Sequence, residues 1–325
     1  MDMKQIWEEI GLALILGLVL PGIVLQSAVW FSQRGAVPED RQDETEVREP
    51  EHERTEIKVL MEDGTVAVMD LEEYITGVVL AEMPASFEPE ALKAQSVVAR
   101  TYALRARNGK SKHEEAAVCT ESSCCQAYRS PDAYLQSGGT RENYEKISDA
   151  AVSTAGYVLL YEGELIEATY FSCSGGSTED AVAVWGTEVP YLVATRSPGE
   201  EGAAHFADTV SFTPSEFLAA LSLDTKLEMK AWFGPVTYTA GGGIAEIEIC
   251  GKQYTGTELR SLLGLRSTAV TFTLDGDSIQ ARTRGFGHRV GMSQYGADAM
   301  ALQGSSYEEI LAHYYRGTTL EKLTD

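Results

Sequence analysis

One glutamate of this sequence stands on the apolar side of a predicted helix. It closes a series at spacings of four, three and four residues, the period of one helix face: Leu71, Ile75, Val78 and Glu82. Burial of a carboxylate on that face raises its pKa and keeps it protonated near neutral pH. Pro84 then ends the helix, so Glu82 is expected near the mouth of a cleft as a proton donor. The alternative is a glutamate in a fraying last turn.

Four potential metal ligands follow close together in the chain: His113, Cys119, Cys124 and Cys125. One imidazole and three thiolates complete a tetrahedral zinc shell, although the spacing is not that of a zinc finger. Adjacent cysteines do not ligate one ion comfortably. A disulfide from Cys119 to Cys124 or Cys125 is therefore an equal alternative on chemistry alone.

A glycine-containing stretch near the C-terminus, GFGHRVGMSQYGA at residues 285–297, brings further polar side chains. Glycines allow a tight approach of the backbone, which would place His288 and Gln294 beside a groove. The spacing does not match G-x-G-x-x-G and no G-K-[ST] is present. We therefore do not expect a nucleotide site here.

The residues around Glu82 carry a resemblance to a known family. LEEYITGVVLAEMPASFEPEALKAQSVVARTYAL, residues 71–104, closely resembles the signature of the stage II sporulation protein D family, also called SpoIID/LytB. Two later blocks, residues 113–128 and 285–297, are similar to later segments of that family and stand in the same order. Three ordered motifs are more specific than one pattern, and the resemblance spans roughly Ile57 to the C-terminus.

The resemblance implies a peptidoglycan lytic transglycosylase of sporulation, with Glu82 as the family's catalytic glutamate. In that mechanism Glu82 protonates the oxygen between N-acetylmuramic acid and N-acetylglucosamine. The carboxylate then deprotonates the muramic C6 hydroxyl, which leaves a 1,6-anhydro end. One acid/base residue serves both steps, unlike in ordinary hydrolases. The acids nearby are interpreted as exposed surface charges: Glu72, Glu73, Glu88 and Glu90.

Other site residues are expected from the family blocks and from the serine-rich stretch TYFSCSGGSTEDAVAVWG, residues 169–186. That stretch lacks the G-x-S-x-G spacing of a nucleophile turn, so we interpret it as a substrate loop. Arg100 matches an arginine of the family motif and is expected to face Glu82 or the sugar; the alternative is that it complements the dipole near the end of its helix. The predicted substrate-binding residues are Arg100, Tyr170, Ser172, His288, Gln294 and Tyr295. Trp185 is expected to pack in the core rather than to stack on a sugar ring.

Two departures from the family limit what the resemblance carries over. Some members bind zinc through a His and Cys set at these positions, but this chain has Cys124 where they have a histidine. A Cys₃His set still suits zinc, and because four protein ligands leave no open position, we expect the ion to be structural. The family often has a histidine where this chain has Phe171, so no role is assigned to that side chain.

The charge and composition restrict the partners. The net charge of −23 and the pI of about 4.6 argue against nucleic acid, which requires a basic patch. Glycan binding is therefore expected in an uncharged, tyrosine-bearing or hydroxyl-lined groove. The resemblance implies peptidoglycan glycan strands as substrate, associated with strands stripped of stem peptides. It also implies a sporulation amidase (stage II sporulation protein P) and a membrane protein (stage II sporulation protein M) as partners in engulfment.

The N-terminal region is predicted to anchor the protein in the cell membrane. Ile10 to Phe31 is a run of about twenty-two mostly apolar residues, long enough to span the hydrocarbon core. We expect a single-pass anchor at residues 1–34. A cleaved signal peptide is the alternative, but no A-x-A site follows. Residues 35–56 are rich in charge and are expected to form an acidic linker. The resemblance places the rest outside the cytoplasm, at the septum between mother cell and forespore.

Residues 57–325 are predicted to form a mixed helix and strand catalytic domain, so the fold class is α+β. Asp63 and Gly64 indicate a hairpin turn, and Pro89 suits the first turn of a helix. Residues at about 205–282 alternate short helical and strand-like pieces. They are expected to form a smaller lobe that shapes one wall of a cleft.

Two other functions remain open from the sequence. The domain could be a non-catalytic wall-binding module that activates an amidase, which would make Glu82 structural. Alternatively, Cys173 with His288 or His313 could form a cysteine hydrolase acting on stem peptides. Glycan cleavage requires Glu82, whereas the cysteine enzyme requires a reactive thiol.

Overall fold

The computed structural model describes residues 55–323. The predicted anchor and nearly all of the predicted linker lie outside this range. Within it, no helix combines the length and the apolar character that crossing a membrane requires. The described residues mix helices and strands, which confirms the predicted α+β class.

The N-terminal part begins with the predicted hairpin. Strands β1 (Glu56–Leu60) and β2 (Val66–Asp70) are antiparallel and flank the turn at Asp63 and Gly64. Helix α1 (Leu71–Glu82) follows at once, because the Asp70 side chain caps it by accepting hydrogen bonds from the backbone N–H groups of Glu72 and Glu73. The helix ends before Pro84, as predicted.

Helix α2 (Pro89–Arg105) is the central element of the main core. Its buried face consists largely of small residues, which allows neighbouring helices to approach closely. It packs against α1, α4 (Arg141–Ser153), α8 (Gln294–Leu302) and α9 (Tyr307–Tyr314). A short helix, α3 (Pro131–Gln136), precedes α4.

The strands form small sheets around this helical core. β3 (Val118–Cys119) runs parallel to β1, and β4 (Tyr157–Tyr161) lies between β5 (Glu164–Leu165) and β14 (Thr319–Lys322). β6 (Tyr170–Phe171) pairs in parallel with β13 (Met292–Ser293). This last pair brings the serine-rich loop beside the glycine-containing stretch.

Residues 207–284 have a hydrophobic cluster of their own around Phe217 and Trp232. One sheet consists of β7 (Ala207–Phe212), β11 (Val270–Asp275) and β12 (Ser278–Arg284), and another of β8 (Phe233–Tyr238), β9 (Ile244–Ile249) and β10 (Lys252–Thr255). Helices α6 (Pro214–Ala220) and α7 (Gly256–Leu262) complete this part. Helix α5 (Ala181–Trp185) lies earlier, in the main part of the domain.

Candidate active site

Glu82 is the last residue of α1 and lies half-buried at its C-terminal end. Burial raises the pKa of its carboxyl group above the ordinary 4.5. Three hydrogen-bond donors act in the opposite direction: the backbone N–H of Ala127, the hydroxyl of Tyr170 and the amide of Gln294. The Ala127 N–H donates to Oε1 at 2.9 Å. The carboxyl group is therefore biased towards the acid form, while its anion has stabilising partners.

Tyr170 is connected to the interior by a short chain of hydrogen bonds. Its hydroxyl accepts from Nε2 of Gln126 at 3.3 Å, and Oε1 of Gln126 accepts from the Tyr74 hydroxyl at 3.3 Å. Burial raises the pKa of both tyrosines well above 10, so both hydroxyls stay protonated. Since Gln126 occupies the Tyr170 oxygen as acceptor, the Tyr170 proton remains available to the Glu82 carboxylate.

Glu82 opens onto a cleft of about 640 Å³, a size typical of ligand sites. The cleft also contains four of the predicted substrate-binding residues, contributed by separate segments of the chain: Tyr170, Ser172, His288 and Gln294. The pairing of β6 with β13 explains why they meet, because it aligns Tyr170 with Met292 and Phe171 with Ser293. Ser172 and Gln294 follow these two strands directly.

His288 lines this cleft as a neutral imidazole. Its Nδ1 accepts a hydrogen bond from the Val290 N–H at 3.1 Å. Burial and the positive charge of Arg260 lower the pKa of the ring to about 4, although a hydrogen bond with the Tyr170 backbone opposes this shift. The ring packs edge-on against Phe171 and at a tilt against Trp185. His288 therefore shapes the cleft and is poorly suited to carry a proton at neutral pH.

Gln294 is nine-tenths buried, and its Nε2 group makes no well-formed hydrogen bond to another residue between 55 and 323. A buried donor without a partner costs free energy unless a ligand satisfies it. Because Gln294 also lines the cleft, its amide is placed to donate to a bound substrate or to the ionised Glu82.

The His/Cys cluster lies beside the cleft, whose wall includes Cys124 and Cys125. The four candidate ligand atoms lie within 4.8 Å of one another. Nε2 of His113 is 3.7 Å from the sulfur of Cys124 and 3.5 Å from that of Cys125, and these sulfurs are 3.9 Å apart. Tetrahedral zinc with bonds of about 2.3 Å to sulfur and about 2.0 Å to nitrogen separates ligands by about 3.5–3.8 Å.

The residues present therefore fit a tetrahedral metal ion. Cys119, Cys124 and Cys125 are free cysteines, and the spacing of the last two is far from a disulfide bond of about 2.05 Å. Four protein ligands complete the shell. The cluster is a possible metal site of the kind that holds a fold together.

Gly77 allows the segment after the cluster to lie directly against α1. A Cβ at this position would clash with the Tyr128 ring, which stacks on Tyr74 at 5.8 Å between centroids. The backbone N–H of Arg129 also donates to the Gly77 carbonyl at 3.0 Å. This close packing is what brings Ala127 within reach of Glu82.

Comparison with known proteins agrees with these motifs. Residues 62–161 match the family model for SpoIID, the stage II sporulation protein. The chain is 40% identical over 263 residues to Stage II sporulation protein D of Bacillus subtilis (strain 168), covering 79% of this chain and 76% of the relative. The chain belongs to the stage II sporulation protein D family. The family predicted from the sequence is thus confirmed.

Another relative of this SpoIID family member carries a different name. The Amidase enhancer of Bacillus subtilis (strain 168) is 30% identical over 299 residues, covering 76% of this chain but 40% of the relative. Stage II sporulation protein D of Bacillus amyloliquefaciens is 38% identical over 263 residues, with 79% and 76% covered. The matched family segment contains Glu82 and the His/Cys cluster, whereas Tyr170, His288 and Gln294 lie beyond it.

Arg100 does not reach the cleft of this SpoIID protein, so the prediction that it faces Glu82 or the sugar is wrong. Its side chain is fully buried, and Nε and Nη2 donate to the Glu72 carboxylate at 2.7 and 2.5 Å. The guanidinium also donates to the backbone carbonyls of Ala151 and Tyr157. Arg100 therefore connects α1, α2 and α4 structurally. Glu72 is its ion-pair partner, so the interpretation of Glu72 as a free surface charge is wrong.

Tyr295 also points away from the cleft. Its ring packs edge-on against Phe87 at 4.9 Å, in the main hydrophobic cluster. It neighbours Gln294 in sequence, but adjacent residues of a helix project in different directions. The prediction that Tyr295 binds substrate is therefore not supported by its position.

The cleft also contains side chains that were not predicted to bind substrate, among them Trp185, Phe286 and Glu167. Trp185 is 43% exposed and Phe286 is 37% exposed, and both line the cleft, so the expectation that Trp185 packs in the core is wrong. Each of these exposed rings offers a flat apolar face to a ligand in the cleft. Glu167 is a second carboxylate of the cleft, paired with Arg105 at 3.4 Å.

Cys173 occupies a closed polar network. It is fully buried, and its thiol donates to Oε2 of Glu200 at 3.0 Å. Burial and the Glu200 charge raise the pKa of the thiol to about 12. His313 lies elsewhere, with its ring nitrogen 2.8 Å from the Arg196 carbonyl. Because the thiolate is the nucleophilic form, this cysteine is unsuited to covalent catalysis.

Proposed function

We propose that this chain is a lytic transglycosylase that cleaves the bond between N-acetylmuramic acid and N-acetylglucosamine in peptidoglycan glycan strands. The observation that carries the proposal is the half-buried Glu82 carboxyl group, with its raised pKa, in a cleft that also holds Tyr170 and Gln294. A raised pKa increases the fraction of the protein in which Glu82 holds the proton that it has to donate. The products are strands with 1,6-anhydro ends.

In the first step Glu82 donates its proton to the glycosidic oxygen. The resulting carboxylate keeps its hydrogen bond from the Ala127 N–H and is stabilised by the donors of Tyr170 and Gln294. Hydrogen bonds to a charged acceptor are stronger than those to a neutral one. These donors lower the free energy of the state in which the proton has left. They stabilise the ionised acid without any second acidic residue.

In the second step the Glu82 carboxylate takes the proton of the muramic C6 hydroxyl, whose oxygen closes the anhydro ring on the anomeric carbon. The acid is regenerated, so protons balance and no water is consumed. Glu167 is not required by this scheme. Its side chain is 43% exposed and already paired with Arg105, which supports a binding rather than an acid/base role.

The four-ligand cluster supports a structural zinc ion held by His113, Cys119, Cys124 and Cys125. We further propose that the protein is anchored in the cell membrane by residues 1–34, with the catalytic domain outside the cytoplasm at the sporulation septum. Its cellular role is then wall remodelling during engulfment. The expected partners are the amidase and the membrane protein of the same developmental stage, stage II sporulation proteins P and M.

One relative supports a second candidate function. Because a 30% identical protein is named Amidase enhancer, the chain could instead stimulate an amidase without cutting glycan itself. In that case Glu82 would have no role in bond cleavage. The two candidates differ in whether the protein alone changes the glycan.

The experiment uses the full-length protein in detergent and glycan strands stripped of stem peptides, with mass spectrometry of the products. We expect 1,6-anhydromuramic ends from the wild type and none from Glu82→Gln. Glu73→Gln is the matched control, because Glu73 is exposed on the first turn of the same helix. Intact strands with the wild-type protein alone, together with faster amidase turnover when it is added, would favour the second candidate.

A further inference from the structure

A second pocket of about 670 Å³ lies next to the candidate active site. It is formed by the end of α2 and the turn after it, the β4–β5 hairpin, and Tyr191. The tyrosines Tyr161 and Tyr191 form its aromatic part, with ring centroids 5.3 Å apart at an angle of 49°. The proposed reaction at Glu82 makes no use of this pocket.

One segment of the chain lines both sites. Residues 164–166 line the second pocket, and residues 167–172 line the cleft that contains Glu82. The two sites meet at Glu167, whose backbone N–H donates to the Tyr191 hydroxyl at 3.0 Å and whose carboxylate pairs with Arg105. Arg105 and Tyr191 in turn line the second pocket. The sites are therefore neighbours along one wall.

The length of this segment limits what could occupy both sites. Eight residue steps from 164 to 172 span at most about 26 Å in extended form, at about 3.3 Å per residue. A linear polymer that lies along this wall would contact both sites. The substrate proposed for the cleft is such a polymer.

The side chains of the pocket suit an uncharged polar ligand. Its two cations, Arg105 and Lys110, are balanced by two carboxylates, Glu162 and Glu164. The tyrosines combine flat apolar faces with hydroxyl groups, and Asn108 adds an amide that both donates and accepts. Pyranose rings with hydroxyl and N-acetyl groups match this combination, whereas a free anion would meet as much negative as positive charge.

We propose that the second pocket is a distal subsite that binds an uncharged N-acetylglucosamine unit of the same glycan strand, away from the bond that is cleaved. This inference rests on the proposed function, because the strand must enter the Glu82 cleft. The subsite selects long strands over short oligosaccharides. Its contribution appears in KM, since it contacts neither the reacting atoms nor Glu82.

The test compares long denuded strands with short oligosaccharides that fill the cleft alone. The variant Asn108→Ala with Tyr161→Leu removes an amide and a ring from the pocket. We expect KM for long strands to rise about tenfold, as for a lost aromatic contact of about 1.4 kcal/mol, with KM for short substrates and both kcat values unchanged. Arg107→Ala is the control, because this exposed cation lies in the same turn but does not line the pocket.

Equal effects on long and short substrates, or no effect on either, would overturn the subsite. Asn108→Ala alone guards against misfolding, because its exposed side chain is not part of the core, and it should produce a smaller shift of the same kind. Binding of uncleaved long strands to Glu82→Gln protein, measured by calorimetry, tests the pocket independently of turnover. If the wild type does not cleave but this binding still weakens in the pocket variant, the proposed reaction fails and the subsite stands.

Discussion

Oε1 of Glu82 accepts a hydrogen bond of 2.9 Å from the backbone N–H of Ala127, two residues beyond the cluster residue Cys125. This bond favours the ionised form of Glu82 and so lowers the pKa of the carboxyl group. It connects the His/Cys cluster physically to Glu82. Removal of a metal ion held by the cluster should therefore affect both stability and the environment of Glu82.

Replacement of Cys119 by Ser is expected to lower zinc content and melting temperature together, because a missing ligand opens the shell and a structural metal contributes directly to folding. Elemental analysis and thermal unfolding measure both. Cys250→Ser serves as the control, since Cys250 lies outside the cluster. In Cys119→Ser protein that remains active, a weaker hydrogen bond from the Ala127 N–H should raise the pKa of Glu82. The alkaline limb of the pH–rate profile should then move to higher pH.

Two results would contradict a structural zinc ion in the cluster. Purified protein without zinc, with a disulfide found by non-reducing mass mapping within residues 119–125, would make the cluster an oxidised staple. Metal-free protein that is stable yet inactive would assign the metal a catalytic role.

Glu82→Gln is expected to stabilise the fold at neutral and higher pH. The folded-state pKa of Glu82 is raised above 4.5, so the folded protein binds more protons than the unfolded chain in the window above that value. Stability is therefore lost as pH rises through this window, and the amide removes that loss. Urea unfolding should show that the free energy of unfolding of the variant increases relative to that of the wild type as pH rises, with little difference below pH 4.5. A pH-independent difference would contradict the burial of this group.

Arg100→Ala is expected to reduce stability by about 3 kcal/mol, because it removes the charged partner of Glu72 and one hydrogen-bond donor from each of two backbone carbonyls. Thermal and urea unfolding measure this loss, with Arg107→Ala as an exposed control. Below the unfolding transition, kcat of the folded variant should match the wild type. A large fall in kcat with unchanged stability would restore Arg100 to the active site.

Glu167→Gln is expected to keep kcat within about threefold of the wild type, because the proposed reaction does not use Glu167. Removal of a required catalytic carboxylate would instead lower kcat by several powers of ten. The amide retains the shape of the side chain but loses the pair with Arg105. Product analysis is the second measurement. Two results together would indicate a hydrolase with two carboxylates: a loss of kcat in Glu167→Gln as deep as that of Glu82→Gln, and reducing instead of 1,6-anhydro ends in the products of the wild type.

Cys173 is expected to resist iodoacetamide in the native protein, because its thiol is buried and its pKa is raised to about 12. Peptide mass mapping after alkylation measures this, with denatured protein as the positive control. Glycan cleavage should persist in treated protein whose cluster cysteines, Cys119, Cys124 and Cys125, are unmodified. Modification of Cys173 together with loss of activity, while Glu82→Gln remains active, would support the cysteine hydrolase instead.

Local patterns predicted the parts of the site that depend on local structure. The helical spacing and Pro84 were enough to place Glu82 at the end of α1, and Asp63 and Gly64 were enough for the hairpin. The partner of Arg100 could not be predicted, because Glu72 lies 28 residues away and nothing in either motif specifies their contact. Contacts between residues that are far apart in the sequence cannot be predicted for the same reason, because only the folded chain brings them together.

Glu167 and Phe286 illustrate this limit within the cleft. Glu167 lies in none of the quoted motifs, and Phe286, although inside the block at 285–297, is an apolar residue whose exposure the sequence does not reveal. Each reaches the cleft through the packing of separate segments. Tyr295 shows the reverse error, since it was predicted from its place in the block at 285–297, whereas its ring packs against Phe87. A helical projection would have separated Tyr295 from Gln294.

Because Glu82 is the final residue of α1, its carboxyl group lies at the end of the helix where backbone carbonyls are unpaired. The aligned peptide dipoles place a partial negative charge there, which opposes ionisation of a nearby carboxylate. The helix therefore delivers the acid to the cleft and also favours its protonated form. A glutamate entering the same cleft from the first turn of a helix would meet the opposite field, so the direction of the chain matters here as much as the residue.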